Sequence, residues 1–131
     1  MRINDFFVIK ELLSIAIERS YIAYSLNEMP VSAIGIDYSN SIVYSHNKKN
    51  IHAEHFLLNC HTWIVTLEPC ISCTHLAILN NVKNIFFAYY SDKGACGTFI
   101  NLPLILKAKI NIYGGLYKNR CNIIRSFFDK Q

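Results

Sequence analysis

The chain has 131 residues, a formal net charge of +4, 52% hydrophobic residues and 17% charged residues. That length suits one domain spanning residues 1–131, and a charged share below the usual ~25% excludes a disordered chain. With only 5 glycines and 3 prolines the collagen-like and low-complexity classes are excluded, and the apolar runs fall far short of the ~20 residues that cross a bilayer.

Residues 4–26 read as a helix, with Phe6, Phe7, Ile9, Leu12, Leu13, Ala16 and Ile17 recurring at spacings of three and four and Asn4 as N-cap. Met29-Pro30 ends it, because a residue before proline is pushed out of the helical region. Two strands, Ser32–Asp37 and Ser41–His46, flank the turn chemistry of Tyr38-Ser39-Asn40 and form a hairpin. Residues 52–59 suit a short helix. Thr62–Leu67 is a buried strand, rich in β-branched and aromatic residues. Pro69 suits the first position of a helix running to about Asn81. Lys83–Tyr90 is a fourth strand, followed by a Gly94/Gly97 loop, a helix near 98–107, a short strand Ile110–Tyr113 and a closing helix Tyr117–Asp129. Strands alternating with helices predict an α/β sheet covered on both faces, and the opening hairpin makes that sheet mixed.

No secretory signal is legible at the start of the sequence, and five cysteines are an odd number, so reduced thiols in the cytoplasm are expected in place of a disulfide framework. Two basic clusters stand out. His46, Lys48 and Lys49 form one, and Lys118, Arg120, Arg125 and Lys130 the other. Such clusters are commonly solvated faces, and they also suit a polyanionic partner.

Chemistry concentrates in His52-Ala53-Glu54 and Pro69-Cys70-Ile71-Ser72-Cys73. Thiols three positions apart at a helix start share one face, and the helix N-terminus favours the thiolate, which is the form that binds metal. Two thiolates and one imidazole suit Zn²⁺, and three protein ligands are the catalytic count, leaving the fourth position to water. Zinc lowers the pKa of such a water toward neutrality. Glu54 lies two positions after His52, so in a regular helix the two point to opposite sides. Both can serve one site only at an irregular first turn, where Glu54 would move the water's proton. His55, His61 and His75 are alternative ligands. A lone C-x-x-C also fits a redox pair, a structural half-site or two buried thiols. The conjunction H-x-E…P-C-x-x-C is the zinc deaminase signature, in which the glutamate is general acid/base and not a ligand.

The chain resembles the tRNA-specific adenosine deaminases of the cytidine deaminase-like superfamily, the TadA-type enzymes that convert wobble adenosine to inosine. The matching residues are Met29-Pro30-Val31, Ala33–Ile36, Asn47, His52-Ala53-Glu54, Val65-Thr66-Leu67-Glu68-Pro69-Cys70, Cys73, Gly94-Ala95-Cys96-Gly97-Thr98, Ile112–Leu116, Cys121, Phe127 and Phe128. The resemblance implies a three-layer α/β/α fold around a mixed five-stranded sheet, in a single zinc-dependent deaminase domain with one Zn²⁺ per chain. It also implies His52, Cys70 and Cys73 as metal ligands, Glu54 as the proton shuttle, Asn47 and Val31 as contacts to the target base, a tRNA anticodon stem-loop as partner, and a homodimer. The chain departs from the family pattern in its short intervals from Asn47 to His52 and from His52 to Cys70, in His55 after H-A-E, and in Tyr90 before the glycine loop. Those trimmed segments leave two competitors: a deaminase of a free base or nucleoside (cytosine, guanine or cytidine), and a zinc-stabilised binding module without activity. An intact Glu54 argues against the second, since a structural site has no use for that carboxylate.

Overall fold

The computed structural model describes residues 6–91, 94 and 109–116. Its elements, in chain order, are α1 (Phe6–Ser25), β1 (Ser32–Asp37), β2 (Ile42–His46), a 3-10 helix (Ala53–Phe56), β3 (Cys60–Leu67), α2 (Ile71–Leu79), β4 (Asn84–Tyr89) and β5 (Asn111–Tyr113). The five strands form one sheet in the order β2-β1-β3-β4-β5. β1 runs antiparallel to β2 and to β3, while β3, β4 and β5 are parallel, so the sheet is mixed as expected.

Period-two alternation along the strands divides the core in two. One register row, Tyr44–Ile34–Ile64–Phe86–Tyr113, crosses all five strands. Its central members meet Ile9, Leu12, Leu13 and Ala16 of α1. The neighbouring row Ala33–Val65–Phe87 faces the other way, onto Ala53 and Leu57 from the 3-10 segment and Ala77 of α2. Helices therefore cover both faces, which explains the continuous apolar run over residues 85–88 in β4. Each of the fully buried Trp63, Phe87, Ile64 and Ile85 contributes roughly 1.5–3 kcal/mol of transfer free energy.

Both helices end by the same device. Asn27 adopts φ 58°, with Asn27 N–H donating to Tyr24 O at 3.0 Å and Glu28 N–H to Ala23 O at 2.9 Å. Asn81 adopts φ 58°, with Asn81 N–H donating to Ile78 O and Val82 N–H to Ala77 O at 3.0 Å. These are left-handed caps of the Schellman type, with asparagine in the place glycine usually takes. The first helix thus stops at Ser25, short of the expected Met29-Pro30 boundary, because the Asn27 cap acts before the proline does. The expected Asn4 N-cap lies outside the described residues, as do the helices near 98–107 and over Tyr117–Asp129.

The hairpin forms as read, with one adjustment at Ser41. Asp37 Oδ1 accepts from the Ser39 amide at 2.9 Å, the Ser39 hydroxyl at 2.7 Å and the Ser41 amide at 2.9 Å. Ser41 thereby belongs to the turn, and β2 begins at Ile42. Among the described residues no helix is long and apolar enough to cross a membrane.

Candidate metal centre

The centre lies beyond the carboxyl end of β3, where open α/β sheets place their ligands. After Leu67 the chain continues through Glu68-Pro69 into α2, whose N-cap is Cys70. Pro69 therefore sits outside the helix and not at its first position, because Cys70 keeps an extended backbone (φ −70°, ψ 175°). Cys73, within the first turn, is fully buried, and Cys70 is half-buried.

The opposing donor, His52, stands at the start of the 3-10 segment. The expected helix over 52–59 is only four residues long, with His52 as its extended N-cap (φ −67°, ψ 144°). That irregular turn meets the demand set by H-x-E spacing. His52 precedes the helical geometry, and Glu54 turns inward to 3% exposure. Tryptophan helps to end the segment, since Trp63 Nε1–H donates to Leu57 O at 3.0 Å. On the other side Ala53 N–H donates to Asn47 Oδ1 at 2.7 Å, and the Ser45 hydroxyl donates to Ala53 O at 2.8 Å.

The short interval before His52 is closed by a tight turn. Lys48 and Ile51 exchange both backbone hydrogen bonds, and Lys49 and Asn50 take φ 52° and 62°. Two successive positive φ values define a type I′ turn, the most economical reversal available to a chain. Glu28 Oε1 secures it by accepting from the Asn50 amide at 3.1 Å.

His52 Nδ1 lies 3.3 Å from Cys73 Sγ and 3.6 Å from Cys70 Sγ. The donor atoms of the three residues lie within 4.8 Å of one another, forming a group able to hold a metal ion. Two sulfurs and one imidazole are the donors of a borderline-soft divalent cation. The Cys70 thiol is pulled down to about 5, chiefly by the hydrogen bond from the Cys73 thiol, against the cost of burial, with help from the Cys73 amide, His52 and the Ser72 amide. The Cys73 thiol is pushed up by the adjoining Cys70 sulfur and by burial. The pair thus shares one proton, which a metal ion would displace.

Glu54 completes the centre. Burial raises its carboxyl to about 7, and its Oε1 is buried without a hydrogen-bond partner. A buried, unpaired carboxyl oxygen is costly and marks a group held ready for something outside the protein's own bonding. The donor set and this oxygen together fit a catalytic metal.

The other histidines are excluded from the cluster. His61 lies against Tyr38 and Thr62, His75 is exposed on α2, and His55 stacks edge-on to His52 at 6.1 Å without joining the donor group. Val31 and Asn47 are neighbours, linked by Asn47 N–H donating to Val31 O at 3.0 Å, and both are buried. Of the basic residues, His46, Lys48 and Lys49 border this end of the fold, while Lys118, Arg120, Arg125 and Lys130 lie outside the described residues.

Two residues take structural roles here that sequence reading did not assign. Ser45 holds the turn that bears His52 and Glu54. Glu68 is 3% exposed and accepts at Oε1 from the Ser91 amide at 3.2 Å, beside a bridge between Cys70 and Gly94. A Cβ at Gly94 would collide with the Glu68 carboxyl group.

No protein-family model matches the chain. It is 27% identical over 139 aligned positions to the tRNA-specific adenosine deaminase of Bacillus subtilis (strain 168), covering 88% of this chain and 85% of the relative. Its fold matches a solved structure from studies of A-to-I editing by tRNA:A34 deaminases, with TM-score 0.70, 17% identity, and coverage of 90% of this chain and 99% of the other. It also matches the guanine deaminase from Nitrosomonas europaea, with TM-score 0.66, 15% identity, and coverage of 88% and 81%. Fold and sequence likeness agree: the chain shares its fold with these solved deaminase structures, and the curated relatives it is similar to are deaminases. The likeness to tRNA-specific adenosine deaminases extends over 88% of the chain.

Proposed function

We propose that the chain is a single catalytic domain that hydrolytically deaminates adenosine to inosine at the wobble position of a tRNA anticodon, with one Zn²⁺ held by His52, Cys70 and Cys73. The observation that carries this reading is the convergence of that donor group with a buried Glu54 whose Oε1 has no partner. Zinc bound there supplies a water whose pKa falls toward neutrality. Glu54 would take a proton from the attacking water and deliver it to the base, then carry the proton of the newly added hydroxyl to the C6 amino group, which leaves as ammonia as the C6–N bond breaks.

Asn47 and Val31 are assigned to the base. Asn47 Oδ1 is committed to the Ala53 amide, so Nδ2 remains as the donor to an acceptor on the purine edge. Val31 packs against the flipped-out ring. Lys48 and Lys49 in the tight turn are assigned to phosphates, and Lys48 Nζ rests 4.7 Å from the centroid of the exposed Phe56 ring. We assign the protein to the cytoplasm as a homodimer, a state that would cover apolar side chains left open on α1, such as Phe7 at 74% exposure. Size-exclusion chromatography with light scattering tests that assembly, and a monomer at micromolar concentration overturns it.

The second reading is a deaminase of a free base, favoured by the fold match to a guanine deaminase and by the tight turn in place of a longer RNA-facing loop. An anticodon stem-loop with wobble adenosine, assayed beside free guanine, cytosine and cytidine, separates the two. Inosine in the stem-loop supports the first reading, and turnover of a free base alone replaces it with the second.

A further inference from the structure

We propose that Ser45 is a positioning residue for the metal centre: its hydroxyl, with the Asn47 amide oxygen, clamps the Ala53 peptide and so fixes where His52 and Glu54 stand relative to each other. The inference rests on the metal-centred reading above.

Ser45 and Asn47 are two residues apart at the end of β2, so their side chains leave the same side of the extended chain. They meet a single residue from opposite chemical directions. Asn47 Oδ1 accepts from Ala53 N–H at 2.7 Å, and Ser45 Oγ–H donates to Ala53 O at 2.8 Å. Ala53 itself is fully buried and has no side chain able to orient the turn. It stands between the ligand His52 and the proton carrier Glu54. A four-residue 3-10 segment has too few internal hydrogen bonds to hold its own geometry. The two side-chain bonds from β2 supply that geometry from the rigid sheet, because β2 pairs with β1 over five register positions including Ser45↔Ala33. Ser45 is 7% exposed, so water cannot readily replace its hydroxyl at the Ala53 carbonyl.

Outer partners of metal ligands typically cost 10–100-fold in affinity or activity when removed. The informative pair of variants is Ser45→Thr and Ser45→Val. They have the same shape, so any crowding from the added methyl groups is common to both, and they differ only in the hydroxyl. With zinc-loaded protein, the measurements are zinc transfer to a chromogenic chelator, kcat and KM. Ser45→Val is expected to release zinc about tenfold faster than Ser45→Thr and to show about tenfold lower kcat, with KM within twofold. Equal zinc release and equal kcat in the two variants overturn the proposal while leaving the metal-centred reading intact. A wild-type protein that holds no zinc at equimolar concentration refutes that reading, and the proposal with it.

Discussion

Replacing Glu54 by glutamine tests the buried carboxyl directly. The side chain keeps its shape and loses its ability to ionise. In the metal-free protein Glu54 titrates at about 7 instead of 4.5, chiefly because burial penalises its charge. That difference corresponds to about 3 kcal/mol between the protonated and ionised forms. The folded chain holds this proton more tightly than the unfolded chain does. Its contribution is therefore most favourable below pH 4.5 and is lost as pH rises through about 7. Glutamine has no such dependence. Urea unfolding of the metal-free proteins should give nearly equal stability at pH 4.5, and an advantage of about 3 kcal/mol for Glu54→Gln at pH 8. The difference between the two proteins cancels the titration of shared groups that do not interact with Glu54. An advantage of the same size at both pH values, or none at pH 8, would refute the claim that burial outweighs the contacts favouring the ionised Glu54. The zinc-loaded variant should keep its metal and lose turnover.

Other expectations follow from particular bonds. Asn47→Ala strands the Ala53 amide and should cost about 1–3 kcal/mol in chemical denaturation, with zinc released faster to a chelator. At the left-handed cap of α2, Asn81→Gly should be neutral or stabilising, whereas Asn81→Ala should lose about 1 kcal/mol, both read from urea midpoints. Asp37 is held below its ordinary value, first by the Ser39 hydroxyl and then by the Ser41 amide. Its contribution to hairpin stability is present above about pH 4 and disappears as pH falls through its lowered value, so Asp37→Asn should flatten the acid limb of the stability profile.

β4 was legible because it is flanked on both faces and so carries a continuous apolar run, β3 because it is rich in β-branched and aromatic residues, and β1 matched its expected bounds at Ser32–Asp37. The convergence of His52, Cys70 and Cys73 was legible in part because C-x-x-C brings two thiols to one helical turn whatever lies around it. What the sequence hid was local hydrogen bonding over long separations. The 52–59 segment carries helix-forming residues, yet Asn47, Ser45 and Trp63 hold it to one short turn. Pro69 looks like a helix start, but the extended Cys70 backbone, which faces the bridge to Gly94, delays that start to Ile71. The interval between Asn47 and His52 looked like lost material. It is a complete type I′ turn, at the cost of placing Lys49 and Asn50 in a backbone region that glycine prefers.

The central claim is that this centre deaminates a flipped-out wobble adenosine, and the anticodon stem-loop assay tests it most directly. Zinc-loaded protein incubated with a stem-loop carrying adenosine at the wobble position should yield inosine there, with one ammonia released per inosine, and none with Glu54→Gln. A protein that holds its zinc, leaves that adenosine unchanged and converts only free guanine, cytosine or cytidine would contradict the account.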